Sequence, residues 1–263
     1  MEDYGVALVT GAGSGIGQAT AMLLAEKGAR VVVTDISEAG ISDTINKIEE
    51  KGGKALGKRL DVSNPDDIDA AFAAAESWDK CVDVLVNNAG IVNIHSFLDY
   101  TAHDWHQVMQ VNLTGSFLCA QRAAREMAKQ SYGRIINMAS VSGLRAGVGR
   151  TAYGTSKAAI IGLTRQIALE MGPHGITANA IAPGPIMTPL VEANYTEETI
   201  SRLLPMIPVG RFGSCADIGD AVCYLANPKS GYVNGEILTV DGGYFSSGMT
   251  QTGKLDMTSR GSK

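Results

Sequence analysis

Apolar residues recur along this chain with two periods that alternate from one end to the other. Short continuous apolar runs, such as residues 6–9 and 30–34, predict strands that are buried on both faces. Between these runs, residues 16–27 have helical spacing, and Gly28 follows them where many helices end. Alternation of this kind predicts a doubly wound α/β fold, in which helices flank a parallel sheet.

The same patterns continue through residues 1–245, so we expect a single domain with a seven-stranded sheet. The other predicted strands are 55–60, 82–86, 135–138, 177–181 and 236–240. The other predicted helices are 37–51, 63–78, 101–130, 153–171 and 215–225. Residues 246–263 are polar and have no period, which indicates a loose C-terminal tail.

The composition narrows the class of protein. Of the 263 residues, 45% are hydrophobic and 19% are charged, a balance typical of a globular domain. The net charge of −5 comes without a basic stripe, so we expect no nucleic-acid partner. No apolar run reaches about 18 residues, no signal-peptide pattern is seen, and the four cysteines form no CxxC pair. We therefore expect a cytoplasmic protein with reduced thiols, no membrane segment and no bound metal.

A glycine-rich turn follows the first predicted strand and opens the first helix. It reads Thr-Gly-Ala-Gly-Ser-Gly-Ile-Gly over residues 10–17. Such a turn lets backbone N–H groups and the helix N-terminus face a pyrophosphate, although the pattern alone also fits a tight strand-to-helix connection. The residues of this turn that we expect to contact a dinucleotide are Gly11, Ser14, Gly15 and Ile16.

A carboxylate ends the second strand, at Asp35, 18 residues after Gly17. In this place it can accept hydrogen bonds from both hydroxyls of the adenosine ribose, and it would repel a 2′-phosphate. Ser14 and Ile36 offer no cation to such a phosphate. The sequence therefore favours NAD over NADP, and a capping role for Asp35 on the next helix is compatible with this.

Two further segments end the third and fourth strands. Asp61 and Val62 follow the third strand, where the carboxylate can meet the adenine amino group. Asn-Asn-Ala-Gly, residues 87–90, ends the fourth strand with small residues that let a ligand approach the carboxyl edge of the sheet. As a bare pattern this segment also fits a turn. Its expected cofactor contacts are Asn88, Ala89 and Gly90.

The chemistry is carried by a tyrosine and a lysine four residues apart, Tyr153 and Lys157, which share one face of a helix. Free tyrosine titrates near pH ~10, and an ammonium beside it favours tyrosinate, which can exchange a proton with an alcohol or ketone oxygen. Ser140 follows the 135–138 strand and could hold that oxygen beside Tyr153, although a turn or cap role is equally compatible. Together with the glycine-rich turn and Asp35, these residues predict hydride transfer between a nicotinamide cofactor and an alcohol or ketone.

These motifs stand in the order seen in the short-chain dehydrogenase/reductase family, and the chain resembles its shorter, single-domain branch. The resemblance covers about residues 6–243. It is carried by residues 10–17, 87–90, Ser140 with Tyr-Gly-Thr-Ser-Lys at 153–157, and Pro-Gly-Pro-Ile-Met-Thr at 183–188. The resemblance implies a Rossmann-type fold and a homotetramer built partly on the 105–130 and 153–171 helices.

The resemblance also implies a role for each site residue. Tyr153 would be the general acid and base, Lys157 would lower the pKa of Tyr153 and bind the nicotinamide ribose, and Ser140 would position the substrate oxygen. Asn112 would hold a water in a proton relay that reaches Lys157. The contacts at the nicotinamide end would be Pro183, Gly184, Ile186 and Thr188. Residues 189–208 would form a mobile substrate lid.

We therefore expect an NAD(H)-dependent oxidoreductase that interconverts a secondary alcohol and a ketone. Its substrate would be a small alcohol, a polyol or sugar, or a 3-oxoacyl compound. Two alternatives stay open, an epimerase or dehydratase that retains NAD and an NAD-sensing binding protein without turnover. Arg145, Arg150 and His95 could meet a substrate, although arginines in such loops are usually solvated. His103 and His106 have no third ligand and fit a solvated helix face.

Overall fold

The structure is a computed structural model of the chain, and it describes residues 4–247, apart from the side chains of residues 190, 193 and 194. Of the tail predicted for residues 246–263, all but the first two residues lie outside the described part. In the described part, no helix is both long enough and apolar enough to span a bilayer.

A parallel sheet forms the centre of the molecule. The strands of the chain are β1 (Val6–Thr10), β2 (Arg30–Asp35), β3 (Lys54–Arg59), β4 (Val84–Asn87), β5 (Gly133–Met138), β6 (Ile176–Pro183), β7 (Ile186–Met187), β8 (Gly213–Ser214) and β9 (Ile237–Val240). Seven of them form the sheet, in the order β3-β2-β1-β4-β5-β6-β9, which confirms the doubly wound prediction. Connections leave β1 and β4 in opposite directions, so a ligand crevice lies outside their carboxyl ends.

Helices cover both faces of this sheet. They are α1 (Gly15–Glu26), α2 (Glu38–Glu50), α3 (Pro65–Trp78), α4 (Ala102–Met109), α5 (Ser116–Gln130), α6 (Thr151–Met171), α7 (Pro189–Asn194), α8 (Glu197–Leu203) and α9 (Cys215–Ala226). Side chains of α1, α2 and α9 pack with one face of the sheet. Side chains of α3, α5 and α6 pack with the other face. The seven-stranded single domain flanked by helices is therefore as predicted.

The molecule has a hydrophobic core on each face of the sheet, because successive side chains of a strand point to opposite faces. In β1, Ala7 and Val9 belong to one core, and Val6 and Leu8 belong to the other. All four side chains are completely buried, because both faces of a parallel sheet are covered by helices. Burying one such aliphatic side chain contributes about 1.5–3 kcal/mol to the free energy of unfolding.

Some helix and strand bounds near the crevice differ from those predicted from the sequence. α6 begins at Thr151 rather than at Tyr153, with Arg150 as its N-cap residue. The long predicted helix 101–130 is interrupted by a π-helical turn, Gln110–Gly115, between α4 and α5. The short ribbon of β7 and β8 was not predicted, because two-residue strands leave no periodic signal.

Candidate active site

The crevice between β1 and β4 is bordered by the glycine-rich turn, which the opposite strand holds in place. The side-chain amide of Asn88 donates to the carbonyl oxygens of Thr10 at 2.9 Å and Gly11 at 3.0 Å. Gly11 has a φ of +64°, and a methyl group there would lie 2.9 Å from Cα of Ala89. A methyl group on Gly17 would collide with the carbonyl oxygen of Gly11. The turn therefore presents backbone rather than side chains, as a pyrophosphate requires.

Three predicted cofactor contacts open α1. Ser14 is its N-cap residue, but the serine hydroxyl makes no capping hydrogen bond. A methyl group on Gly15 would lie 3.9 Å from Cβ of Thr188, and Ile16 packs partly buried against the core. The predicted pyrophosphate end and the predicted nicotinamide end therefore border the same crevice.

The Asp35 carboxylate lies at the rim of this crevice and is fixed by two backbone groups. One oxygen accepts from the N–H of Gly13 and the other from the N–H of Ser37, both at 2.9 Å. Each oxygen has lone pairs left for ribose hydroxyls. The neighbouring cation in strand register, Arg59, is ion-paired at 2.8 Å with Asp67. The free lone pairs of Asp35 thus suit the hydroxyls of an adenosine ribose.

Asp61 and Val62 border the crevice next to β3. The Asp61 carboxylate accepts hydrogen bonds from the N–H of Ser63 at 2.9 Å and from its hydroxyl at 2.6 Å. These bonds lower the pKa of Asp61, so the group is ionised at neutral pH. Val62 is buried, and Gly115 lies so close that a methyl group there would be 2.7 Å from the Val62 carbonyl oxygen.

Tyr153 and Lys157 lie one turn apart at the start of α6, beside the carboxyl end of β5. The Lys157 ammonium is 5.7 Å from the centroid of the Tyr153 ring. It donates at 2.6 Å to the carbonyl oxygen of Met138, the last residue of β5. Lys157 is 4% exposed, and this burial lowers the pKa of its ammonium to about 8. The tyrosine thus faces a cation held rigidly by the sheet.

Ser140 joins this corner from the loop after β5. Its hydroxyl oxygen accepts from the N–H of Ser142 at 3.0 Å, so its proton can be donated to the oxygen of Tyr153 or of a substrate. Burial raises the pKa of Tyr153 above that of free tyrosine, and a hydrogen bond with Ser140 and the charge of Arg150 offset this increase only in part. The structure therefore brings Ser140, Tyr153 and Lys157 together.

Asn112 lies in the π-helical turn before α5 and is completely buried. Its side chain holds the loop after β4, because it accepts from the N–H of Ile91 at 2.8 Å and donates to the Ile91 carbonyl at 2.9 Å. It also donates to the hydroxyl of Ser156 on α6, at 3.1 Å. A methyl group on Gly90 would lie 3.3 Å from Asn112 Oδ1 and 3.6 Å from Lys157 Nζ. Asn112 and Lys157 therefore border the same space, and π-helical turns are frequent at functional sites.

The four residues predicted for the nicotinamide end lie on the segment that leaves β6. Pro183 is the last residue of β6, and the N–H of Gly184 donates to Val240 at 3.1 Å. Ile186 is buried in β7. The hydroxyl of Thr188 caps α7 and accepts from the N–H of Val191 at 3.2 Å. This segment stands opposite α1 across the crevice.

Several side chains at this site were not singled out by sequence reasoning. The hydroxyl of Thr10 accepts from the N–H groups of Asn88 and Ala89, each at 3.0 Å. Ser156 and Tyr195 were also missed, since each acts through a partner distant in sequence. Among residues 4–247, no group of three His, Cys, Asp or Glu side chains has a metal-binding arrangement.

The crevice thus combines a glycine-rich turn and a fixed carboxylate on the side of β1 and β2 with a tyrosine–lysine pair on the side of β5 and α6, an arrangement that suits a dinucleotide-dependent oxidoreductase. Comparison with known proteins agrees. The family model described as enoyl-(acyl carrier protein) reductase matches residues 11–245. The chain is 42% identical over 244 residues to the short-chain reductase protein NovJ of Streptomyces niveus, covering 90% of this chain and 93% of the relative.

Two other relatives are similar over comparable lengths. The 3-oxoacyl-(acyl-carrier-protein) reductase FabG of Aquifex aeolicus is 39% identical, over 91% of this chain and 97% of the relative. The 2-dehydro-3-deoxy-D-gluconate 5-dehydrogenase of Bacillus subtilis is 41% identical, over 91% of this chain and 94% of the relative. The chain belongs to the short-chain dehydrogenase/reductase family and is an oxidoreductase that acts on CH–OH groups.

Solved structures share the whole fold. A putative gluconate dehydrogenase from Agrobacterium tumefaciens has a TM-score of 0.90 and 34% identity, over 93% of this chain and 98% of that chain. A putative 2-deoxy-D-gluconate 3-dehydrogenase from the same organism, solved with bound NADP, has a TM-score of 0.86 and 36% identity, over 92% and 96%. The fold and the family are thus established, and a nicotinamide cofactor is expected.

Proposed function

We propose that the protein transfers a hydride between NAD(H) and a secondary alcohol or ketone, with Tyr153 as the acid and base. The main support is that the Lys157 ammonium lies 5.7 Å from the centroid of the Tyr153 ring and is fixed by Met138, the last residue of the strand that leads to Ser140. Bound nicotinamide would supply the hydride acceptor or donor. In reduction, the Tyr153 hydroxyl gives a proton to the substrate oxygen, and in oxidation its phenolate takes one.

Ser140, Lys157 and Asn112 each have a different role in this proton transfer. The Ser140 hydroxyl would donate its proton in a hydrogen bond to the substrate oxygen, since the bond with Ser142 uses a lone pair and not this proton. Lys157 stabilises the phenolate by its charge, and the two ammonium protons not committed to Met138 are available for the nicotinamide ribose and for a water. Asn112 holds that water beside Lys157 and so connects Tyr153 to solvent.

We assign NAD rather than NADP as the cofactor. A carboxylate fixed by Gly13 and Ser37 repels a 2′-phosphate, and the nearby guanidinium of Arg59 is already paired with Asp67. The NADP-bound neighbour shows that the fold also accepts the other cofactor, so Asp35 is the residue on which this assignment depends. Gly11, Ser14, Gly15 and Ile16 would hold the pyrophosphate, and Asp61 with Val62 would hold the adenine.

The segment after β6 would complete the cofactor site and close over it. Pro183, Gly184, Ile186 and Thr188 would contact the nicotinamide end. Residues 189–208, which contain α7 and α8, would act as the substrate lid of a domain formed by residues 1–245. The names of the relatives point to 3-oxoacyl and sugar-acid substrates as the first compounds to test.

The exposed face of α5 and α6 would carry a homotetramer. A groove of about 440 Å³ between the two helices is lined by apolar side chains that include Phe117 and Leu163, and Phe117 is 42% exposed. The small residues Ala158, Ala159 and Gly162 on α6 would allow close packing. We place the protein in the cytoplasm, where its four free cysteines would stay reduced. Light scattering after gel filtration would give the mass of the assembly.

The activity is tested by NADH formation at 340 nm with secondary alcohols, polyols and hydroxyacyl esters, and by NADH consumption with the matching ketones. We expect turnover on at least one class and its loss in Tyr153→Phe. Tight NAD binding with no turnover in either direction would favour a binding protein instead. Exchange of substrate stereochemistry without net NADH would indicate an epimerase.

A further inference from the structure

Arg150 occupies an unusual place beside the catalytic corner. It stands at the N-cap position of α6, three residues before Tyr153, and makes no side-chain capping bond there. Its guanidinium carbon lies 5.7 Å from the centroid of the Tyr153 ring. One guanidinium nitrogen donates at 3.0 Å to the hydroxyl of Tyr195, which follows α7. The arginine thus connects the helix that carries Tyr153 with the segment expected to act as the lid.

Half of the ten arginines in residues 4–247 are ion-paired, and Arg150 is among the half for which no ion pair with a described side chain is found. Five arginines of the described chain lie within 4.0 Å of a carboxylate, namely Arg30, Arg59, Arg122, Arg202 and Arg211. Leaving aside the side chains of residues 190, 193 and 194, which the structure does not describe, the hydroxyl of Tyr195 is the side-chain acceptor found for Arg150. A guanidinium has five N–H donors, so donors remain for a ligand.

Arg150 lies where several chain segments meet near Tyr153. Its loop packs on the loop after β4, where the N–H of His95 donates at 3.2 Å to Gly149. Gly149 has a φ of +76°, and a methyl group there would lie 2.8 Å from Ile94. Three segments therefore converge on Arg150 beside the tyrosine ring, and a substrate at Tyr153 would occupy the space between them.

We propose that Arg150, together with Tyr195, binds a carboxylate of the substrate, so that the preferred substrate is a hydroxy or oxo acid. This inference rests on the proposed function of Tyr153. The planar fork of a guanidinium matches a carboxylate in two parallel hydrogen bonds. Its short distance from the Tyr153 ring suits a carboxylate near the carbinol carbon rather than one at the end of a long chain.

A carboxylate fits the charges of this site better than a phosphate ester does. One guanidinium balances one negative charge, and a phosphate carries nearly two at neutral pH. Of the other cations nearby, Arg145 donates at 3.2 Å to the backbone of Tyr244 and lies 4.3 Å from the centroid of its ring. Lys157 donates to Met138, and its remaining protons are assigned above to the nicotinamide ribose and a water.

The test uses matched pairs that differ only in the charge, such as acetoacetate beside methyl acetoacetate and 3-hydroxybutyrate beside its methyl ester. The measured quantity is the ratio of kcat/KM for the acid to that for the ester, in the full-length protein with NAD(H). We expect a ratio above one that falls at least tenfold in Arg150→Met and less in Arg150→Lys, which keeps the charge but loses the fork. Tyr195→Phe should lower it less than Arg150→Met.

Arg145→Met is the matched control, because it removes one positive charge from the same loop, and it should keep the ratio. Equal use of acid and ester, or equal loss of both in Arg150→Met, would overturn the carboxylate assignment and leave the oxidoreductase intact. Absence of turnover on every pair and on neutral alcohols would instead contradict the proposed function. For that case, calorimetric binding of acetoacetate to the NADH-loaded protein, lost in Arg150→Met, still decides the role of Arg150.

Discussion

The two sides of the crevice are built by opposite means. On the side of β1 and α1, the glycine turn exposes backbone and is shaped by the side chains it lacks. On the side of β5 and α6, Ser140, Tyr153 and Lys157 are held by hydrogen bonds and burial. Adding a methyl group to the glycine turn should therefore impair cofactor binding. On the side of β5 and α6, removing a polar group should impair catalysis.

The largest effect is expected on the side-chain half. Tyr153→Phe removes the acid–base hydroxyl and keeps the ring, so kcat/KM should fall by about 10²–10⁴-fold. NAD binding, measured by calorimetry, should change little. Tyr232→Phe is the control, since it removes the same hydroxyl from a fully exposed tyrosine. Normal turnover in Tyr153→Phe would refute the proposed chemistry.

The buried ammonium on the same side makes stability depend on pH. Lys157 has a pKa of about 8 in the folded protein against 10.5 in the unfolded chain. Between these values the unfolded chain binds more protons, so the free energy of unfolding rises with pH in the wild type. Relative to Lys157→Met, the gain from pH 8 to 10.5 should reach about 3 kcal/mol, at ~1.36 kcal/mol per pKa unit. Denaturant unfolding at several pH values measures it, with exposed Lys54→Met as the control, and parallel curves would contradict the buried charge.

The backbone half is probed by adding one methyl group. Gly17→Ala would force Gly11 away from α1, which should cost about 1–3 kcal/mol of stability and weaken NAD binding. Gly172→Ala is the control, because its methyl group would meet only Asn234 at 3.4 Å. If Gly17→Ala bound NAD as the wild type does, close packing of the turn would not matter for the cofactor.

The smallest effect concerns the choice of cofactor. Asp35→Asn removes the charge that opposes a 2′-phosphate, so the preference for NAD over NADP in kcat/KM should fall by about tenfold, or ~1.4 kcal/mol. Asp43→Asn, on an exposed part of α2, should leave the preference unchanged. A wild-type preference for NADP would show that Asp35 does not decide the cofactor.

Much of the fold was predictable from sequence because its signals are local. Buried strands, helix periods and the glycine turn each depend on neighbouring residues, and so does the spacing of Tyr153 and Lys157. Contacts between distant segments left no such signal. Asn112 depends on Ile91, and Arg150 depends on Tyr195, which lies 45 residues away. The Asp35 carboxylate was predicted to face the ribose, to cap the next helix, or both. Ser37 is the N-cap residue of α2, and Asp35 accepts from the N–H of Ser37, so it supports the cap residue rather than the helix.

The π-helical turn before α5 also fixes the phase of that helix. A π turn takes up about one residue more than an α turn, and one residue corresponds to a rotation of about 100°. Shortening Gln110–Gly115 by one residue would keep the length of α5 but roll it by that angle. Cys119, Ala123 and Met127 would leave the core, and polar side chains would face the sheet. The length of the segment that carries Asn112 therefore also determines which face of α5 is buried against the sheet.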